Sequence, residues 1–136
     1  MRFHAIVHLS EARVAVGIVG DNEWAYSHAG RILPIATHSA PFMVTILERG
    51  PHLHQELRDA LEKHGLDSSL ADSFPAEVGV RMGLTWGSEY WESLALRWVE
   101  HESSARKYQQ ELHELSVRGA TQRVRHSARR LARTIR

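Results

Sequence analysis

The stretch SEYWESLALRWVEHESSARKYQQELHELSV, residues 88–117, decides the fold, because it carries the longest periodic pattern in the chain. Apolar and amphipathic side chains recur there at alternating spacings of three and four residues, the pattern of one continuous helix face. Ser88 is a favourable N-cap residue. We therefore predict one uninterrupted helix from Glu89 to about Val117. Its face consists of Trp91, Leu94, Trp98, His101, Ala105, Tyr108, Leu112 and Leu115.

A second amphipathic segment follows this helix after a break at Gly119. Thr121 is suited to cap it, and its apolar side chains again recur every three or four residues. Two successive amphipathic helices with a short connection pack as an antiparallel αα-hairpin. The apolar face of this last helix is Val124, Ala128, Leu131 and Ile135.

The N-terminal quarter is typical of β-structure. Apolar residues nearly alternate along Phe3–Leu9, and Arg13–Val19 is rich in β-branched residues before the turn-forming Gly20-Asp21-Asn22. Trp24–His28 is predicted as a third strand, whereas Ile32–Ala36 is either a short fourth strand or a loop. These segments predict an antiparallel β-meander.

The pattern becomes helical after Pro41. Phe42–Arg49 is predicted as a short helix, and the helix that begins near Pro51 has a specific ending. Gly65 suits the left-handed position of a Schellman motif after that helix. The predicted fold is α+β, as one domain over residues 1–136, with 1–36 mainly β and 41–136 mainly α.

Composition excludes several classes of protein. The chain of 136 residues has no cysteine, which excludes a disulfide scaffold, a thiolate zinc finger, an iron–sulfur site and a cysteine nucleophile. The first twenty residues are not a convincing signal peptide, because His4, His8, Glu11 and Arg13 interrupt the apolar core that one needs. No apolar run is long enough to span a bilayer. We expect a soluble, cytoplasmic protein with no membrane partner.

Charge is distributed very unevenly along the chain. Residues 1–116 hold 10 basic and 16 acidic side chains, a net charge of −6, whereas residues 117–136 hold seven arginines and no acid, a net charge of +7. A row of guanidinium groups along the last helix is suited to an anionic partner. The predicted partner-binding residues are Arg123, Arg125, Arg129, Arg130, Arg133 and Arg136.

Three explanations of this basic helix remain open. The arginines could neutralise the chain's own acids on the preceding helix, such as Glu100 and Glu111. They could instead bind the acidic surface of another protein, as in an inhibitor, immunity-type or adaptor protein. They could also bind nucleic acid, although the sequence pI of about 8.3 is low for a dedicated nucleic-acid binder. The leading hypothesis is the non-enzymatic, protein-binding one.

Catalytic and metal-binding motifs are not found. The ten histidines include no HExxH pair, and the sequence contains no GxSxG, P-loop or GxGxxG motif. We therefore predict no catalytic residue, no metal ligand and no cofactor. A metal protein or enzyme that assembles histidines from separate segments stays as a further alternative.

The long helix also raises the question of self-association. Its apolar face could be covered by the chain's own last helix or by a second copy. A homodimer is therefore a second hypothesis, with an interface formed by Trp91, Leu94, Trp98, Tyr108 and Leu112. Among the aromatic residues of this region, Tyr90 is expected to be the most exposed to solvent.

Overall fold

The computed structural model describes residues 2–9, 13–35 and 41–135. An N-terminal sheet is followed by a helical layer, which confirms the predicted α+β class. The strands are β1 (Phe3–Leu9), β2 (Val14–Val19), β3 (Glu23–His28) and β4 (Arg31–Pro34). The α-helices are α1 (Leu53–Lys63), α2 (Ala76–Leu84), α3 (Glu89–Glu102), α4 (Gln109–Arg118) and α5 (Gln122–Ala132). Helices of the 3₁₀ type span Pro41–Arg49, Ser68–Ser73 and Ala105–Tyr108.

The sheet is an antiparallel meander in the order β1-β2-β3-β4. The three predicted strands are confirmed, and the segment left open between strand and loop contributes β4. A bulge interrupts β1 between Ala5 and Val7, so that the carbonyl of His4 lies over Gly17 on β2. A Cβ atom at Gly17 would lie 1.9 Å from that oxygen.

Trp24 joins the sheet to the helical layer. Its indole N–H donates a hydrogen bond to the carbonyl of Leu70 at 3.0 Å, and its ring packs edge-on against Phe74 at 5.0 Å. The ring is buried, so a satisfied indole N–H matters for stability. This contact holds β3 against the 3₁₀ helix Ser68–Ser73 and the loop that follows it.

The predicted end of α1 is confirmed. Gly65 has a φ of 72°, its N–H donates to the carbonyl of Glu62 at 3.0 Å, and the N–H of Leu66 donates to the carbonyl of Leu61 at 2.9 Å. These two bonds define a Schellman motif. They direct the chain away from α1 and towards the 3₁₀ helix Ser68–Ser73.

The prediction of one uninterrupted helix over 89–117 is wrong. Helix α3 ends at Glu102, because Ser103 adopts a left-handed conformation with a φ of 52°. The N–H of Ser104 then donates to the carbonyl of Val99 at 3.1 Å, which completes a second Schellman motif without a glycine. Ending the helix at Ser103 and Ser104 costs little free energy, because serine has a low helix propensity: its side chain competes for the backbone hydrogen bonds of a helix.

The αα-hairpin at the end of the chain is confirmed, and it consists of α4 and α5. Thr121 caps α5 as predicted, because its hydroxyl accepts a hydrogen bond from the N–H of Val124 at 3.2 Å. The face of α5 formed by Val124, Ala128 and Leu131 is buried in the common core.

The helix face predicted to form a homodimer interface is largely covered by the chain itself. Trp98, Tyr108 and Leu112 have exposed fractions of only 3%, 3% and 0% within the single chain. Trp91 and Leu94 are partly buried and pack against the same core. Trp98, Tyr108 and Leu112 therefore belong to the core of the chain, so the predicted five-residue face is not available as a whole for a second copy to dock on. Tyr90 is exposed, as predicted.

Candidate functional site: the groove between α3 and α5

A shallow groove of about 230 Å³ lies between α3 and α5. Its floor is apolar and buried, because Leu96, Val124 and Leu131 face the core of the hairpin. Its rim is polar. The rim residues are Ser93, Arg97 and Glu100 from α3 and Arg123, Ser127 and Arg130 from α5.

The rim arises from one polar stripe on each helix. Side chains four and three residues apart lie on the same side of a helix, so each stripe repeats at those intervals next to the buried apolar face. In each helix the second polar residue follows the first by four positions, and the third follows the second by three. The groove therefore carries three guanidinium groups against one carboxylate, an excess of two positive charges.

Arg130 and Glu100 form the one ion pair across this groove in the described residues. Nη1 and Nη2 of Arg130 donate to Oε1 and Oε2 of Glu100 at 3.2 and 3.3 Å, a bidentate arrangement. The guanidinium hydrogen bonds and positive charge hold the pKa of Glu100 below its ordinary value, and the carboxylate raises the pKa of Arg130. Both side chains are more than half exposed, so the pair is a weak contributor to stability.

Arg97 and Arg123 are different. Both are exposed on the rim, and within residues 2–9, 13–35 and 41–135 neither has a hydrogen-bond or ion-pair partner. Their charges are therefore available to an anion that enters the groove. Arg133, further along the chain after α5, is likewise exposed and has no such partner in the same ranges.

Two of the predicted partner-binding arginines have an internal role. Nη1 of Arg125 donates to the carbonyl of Gly119 at 2.9 Å, and Nη2 of Arg129 donates to the carbonyl of Ser116 at 3.2 Å. These carbonyls lie at the C-terminal end of α4, where helix carbonyls lack partners and the helix dipole favours a cation. Arg125 and Arg129 therefore stabilise the hairpin, while Arg136 lies outside the described residues.

Glu92 fixes the position of the groove. It is a buried charged residue, with an exposed fraction of 2%. Its Oε2 accepts the N–H of Gly87 at 3.1 Å before α3, and its Oε1 accepts the N–H of Ala120 at 2.9 Å in the connection between α4 and α5. One carboxylate thus ties the start of α3 to the turn that leads into α5.

Reasoning from the sequence missed Arg97 and the two rim serines, Ser93 and Ser127. The signal that would have found them is the spacing of four residues that pairs Ser93 with Arg97 on α3 and Arg123 with Ser127 on α5. Uneven charge does not reveal Arg97, because Arg97 lies in the acidic part of the chain. Glu92 was also missed, because it adjoins the apolar stripe of α3 and carries no motif.

The histidines do not assemble into a metal centre in the part of the chain that the structure describes. No group of three or more histidine, aspartate or glutamate side chains there is arranged to hold a metal ion. His54 instead pairs with Asp72, with Nε2 and Oδ1 2.7 Å apart, and the rings of His52 and His101 lie 6.0 Å from each other.

Comparisons with protein-family models, curated proteins and solved structures find no match to this chain. In the described residues, no helix combines the length and the apolar character needed to cross a membrane.

Proposed function

We propose that this chain is a non-enzymatic binding protein that recognises an acidic surface on a partner protein through the groove between α3 and α5. The protein classes that act in this way include inhibitors, immunity-type proteins and adaptors. The observation that supports the proposal most directly is the bidentate pair of Arg130 and Glu100. A carboxylate is already bound on the rim, and Arg97 and Arg123 offer the same chemistry without an internal carboxylate in the described residues.

Carboxylates on a protein fit this surface better than the phosphates of a nucleic acid. Binding to a duplex relies on many phosphate contacts along the backbone. Arg125 and Arg129 already donate hydrogen bonds to carbonyls at the end of α4, so fewer guanidinium groups of α5 are left to contact phosphates. The chain as a whole has a formal charge of only +1. The groove offers a compact cluster of bidentate donors, as expected for a few carboxylates.

The first test uses poly-L-glutamate as an acidic polypeptide probe. We expect the wild-type protein to bind it at low salt and to lose affinity as the ionic strength rises. The double variant Arg97→Glu/Arg123→Glu should bind at least about tenfold more weakly, because two attractive contacts become repulsive. Both side chains are exposed, so the melting temperature should change little. Fluorescence anisotropy with labelled poly-L-glutamate measures the affinity.

A matched control separates a local site from overall charge. The variant Arg2→Glu/Arg31→Glu changes the net charge by the same amount at two exposed residues of the N-terminal β-region. Its affinity should stay within about twofold of the wild-type value. An equal loss in both double variants would contradict a groove-specific interaction. Tighter binding of random duplex DNA than of poly-L-glutamate at the same salt concentration would favour the nucleic-acid alternative instead.

Glu100 is expected to compete with the partner for Arg130. The variant Glu100→Gln frees Arg130 and removes the negative charge from the rim, so it should bind poly-L-glutamate about two- to fivefold more tightly. The matched control Glu114→Gln removes an exposed carboxylate on α4 outside the groove. If Glu100→Gln bound no better than Glu114→Gln, the groove could not be the binding site.

The same pair makes a pH-dependent contribution to stability. The folded pKa of Glu100 is lower than that of an unfolded glutamate, because Arg130 stabilises the carboxylate. The stabilisation is therefore fully present above the unfolded pKa and is lost as the pH falls through the folded pKa. Denaturation curves of wild type and Glu100→Gln should differ at neutral pH and converge in strongly acidic solution. A difference that persists at the acidic end would assign the effect to packing instead of charge.

A further inference from the structure

An exposed aromatic patch lies at the start of α3. It consists of Trp86, in the turn before the helix, and Tyr90, in the first turn of the helix, with exposed fractions of 47% and 56%. Both rings contact Trp91, which packs against the core, with centroid distances of 6.1 Å from Trp86 and 4.9 Å from Tyr90. Neighbouring aromatic side chains that stay half exposed are typical of a surface that binds another molecule.

The aromatic patch is continuous with the rim of the groove on α3. Tyr90 precedes Ser93 by three residues and Arg97 by seven, and side chains at these intervals lie on the same side of a helix. The three residues therefore follow one another along about 10 Å of the helix axis. An elongated ligand on this side of α3 can contact the patch and the groove together.

The rim on α5 begins at the same end of the molecule. The carboxylate of Glu92 accepts the N–H of Gly87 with one oxygen and the N–H of Ala120 with the other. Gly87 directly follows Trp86, and Ala120 precedes Arg123 by three residues. The segments that carry Trp86 and Arg123 therefore meet at one carboxylate, and the patch adjoins the basic end of the groove.

The charges around the patch give this combined surface a direction. The hydroxyl of Tyr90 donates to Oε2 of Glu48 at 2.5 Å, and this hydrogen bond raises the pKa of Tyr90. Glu48 and Glu89 are both exposed at the aromatic end, whereas Arg97 and Arg123 have no partner in the described residues. A carboxylate is therefore repelled beside the patch and attracted further along the groove, while an uncharged side chain can pack on the aromatic rings.

We propose that the partner's acidic segment carries an apolar anchor residue, an aromatic or large aliphatic side chain, that packs on Trp86 and Tyr90 while neighbouring carboxylates bind Arg97 and Arg123. This inference rests on the proposed function of the groove and specifies the chemistry of the partner. An extended segment advances about 3.3 Å per residue, so the anchor and the carboxylate at Arg97 are about three residues apart. Trp, Tyr and Arg are also the residue types that contribute most to binding energy at protein interfaces.

The test compares two random copolymers with the same charge density. One contains glutamate with a minority of tyrosine, and the other contains glutamate with the same share of alanine. We expect the wild-type protein to bind the tyrosine copolymer at least about fivefold more tightly, because a tyrosine ring leaves water when it packs on the patch. Fluorescence anisotropy at low salt measures both affinities, and their ratio isolates the anchor from the charges.

Variants locate the anchor on the patch. Trp86→Ala/Tyr90→Ala should bring the two affinities to within about twofold of each other, and circular dichroism should show that the fold is kept, since both side chains are half exposed. Ile32→Ala removes another exposed apolar side chain, on β4, and should leave the ratio unchanged. Arg97→Glu/Arg123→Glu should weaken binding of both copolymers by a similar factor.

The outcomes separate the anchor from the groove. Equal affinity of the wild type for the two copolymers would overturn the anchor and leave the groove as a binding site, whereas no binding of either copolymer would overturn both. A preference for tyrosine that persists in Trp86→Ala/Tyr90→Ala would place the apolar contact elsewhere and disprove the anchor. Association of the wild type, but not of that variant, with phosphatidylglycerol vesicles would assign the patch to a lipid surface and also overturn the proposal.

Discussion

Replacing Glu92 with alanine is expected to lower the free energy of unfolding by about 3 kcal/mol or more. The carboxylate accepts the N–H groups of Gly87 and Ala120, and each hydrogen bond to a buried charged group contributes about 1.5 to 3 kcal/mol. Alanine removes the charged acceptor of both N–H groups and opens a cavity at a site that is 2% exposed. Urea denaturation followed by circular dichroism measures the loss.

Two further variants show whether the effect comes from those hydrogen bonds. Glu92→Gln keeps the volume and one acceptor but presents an amide N–H₂ to one of the two donors, so it should lose about half as much stability. Glu114→Ala, an exposed residue on α4, should stay within about 0.5 kcal/mol of the wild type. If Glu92→Ala were as stable as Glu114→Ala, the carboxylate would not join α3 to the α4–α5 connection. Because Glu92 positions the groove, its loss should also weaken poly-L-glutamate binding under conditions where the variant is still folded.

Gly17→Ala is expected to be the most damaging single-methyl change in the sheet, with a loss of about 3 kcal/mol or more. The added Cβ would lie 1.9 Å from the carbonyl oxygen of His4 and 2.9 Å from the Cα of Ala5. Both atoms belong to the backbone of β1, so neither can move away as the end of a flexible side chain would. The bulge in β1 must open or the strand must separate from β2. Thermal denaturation and the amide exchange rates of β1 measure these effects.

Gly30→Ala is the control that distinguishes this clash from backbone strain. Gly30 lies in the turn between β3 and β4 with a φ of 78°, and a Cβ there would meet no atom within 4 Å. Its replacement should cost about 1 kcal/mol, from the left-handed conformation alone. A comparable loss in both variants would mean that the close approach of His4 to Gly17 is not a constraint on the sheet.

The helical periodicity of residues 88–117 predicted burial only in part and did not predict continuity. His101, on the predicted face, is exposed, whereas Leu96 and Val99, which are outside it, are buried. Trp98, Tyr108 and Leu112 all lie in the core, as their spacing indicates, although the chain leaves the α-helix at Ser103. After the turn at Ser103, the apolar residues of the following helices again face the core. The spacing of apolar residues is therefore the same as in one continuous helix, and periodicity alone cannot reveal the break. The left-handed serine depends on packing of the following 3₁₀ helix, which is tertiary information.

The candidate groove was only half predictable. Uneven charge identified α5 as the basic element, and the arginines predicted from it include Arg123 and Arg130, which lie on the rim of the groove. Which arginines would be used internally could not be read from the sequence, because Arg125 and Arg129 reach carbonyls whose positions depend on how α4 packs against α5. The contribution of Arg97 required knowing that α3 and α5 are neighbours.

The bulge in β1 also affects how the molecule behaves at high concentration. In the described residues β1 and β4 are the outer strands of the sheet. The irregular register of β1 and the missing N–H of Pro34 on β4 interrupt the ladder that an extended segment of another molecule would need. Both edge strands are therefore poor templates for amyloid-like stacking. Replacing Gly17 would disturb this protection at the β1 edge, because Gly17 lies against the bulge in β1.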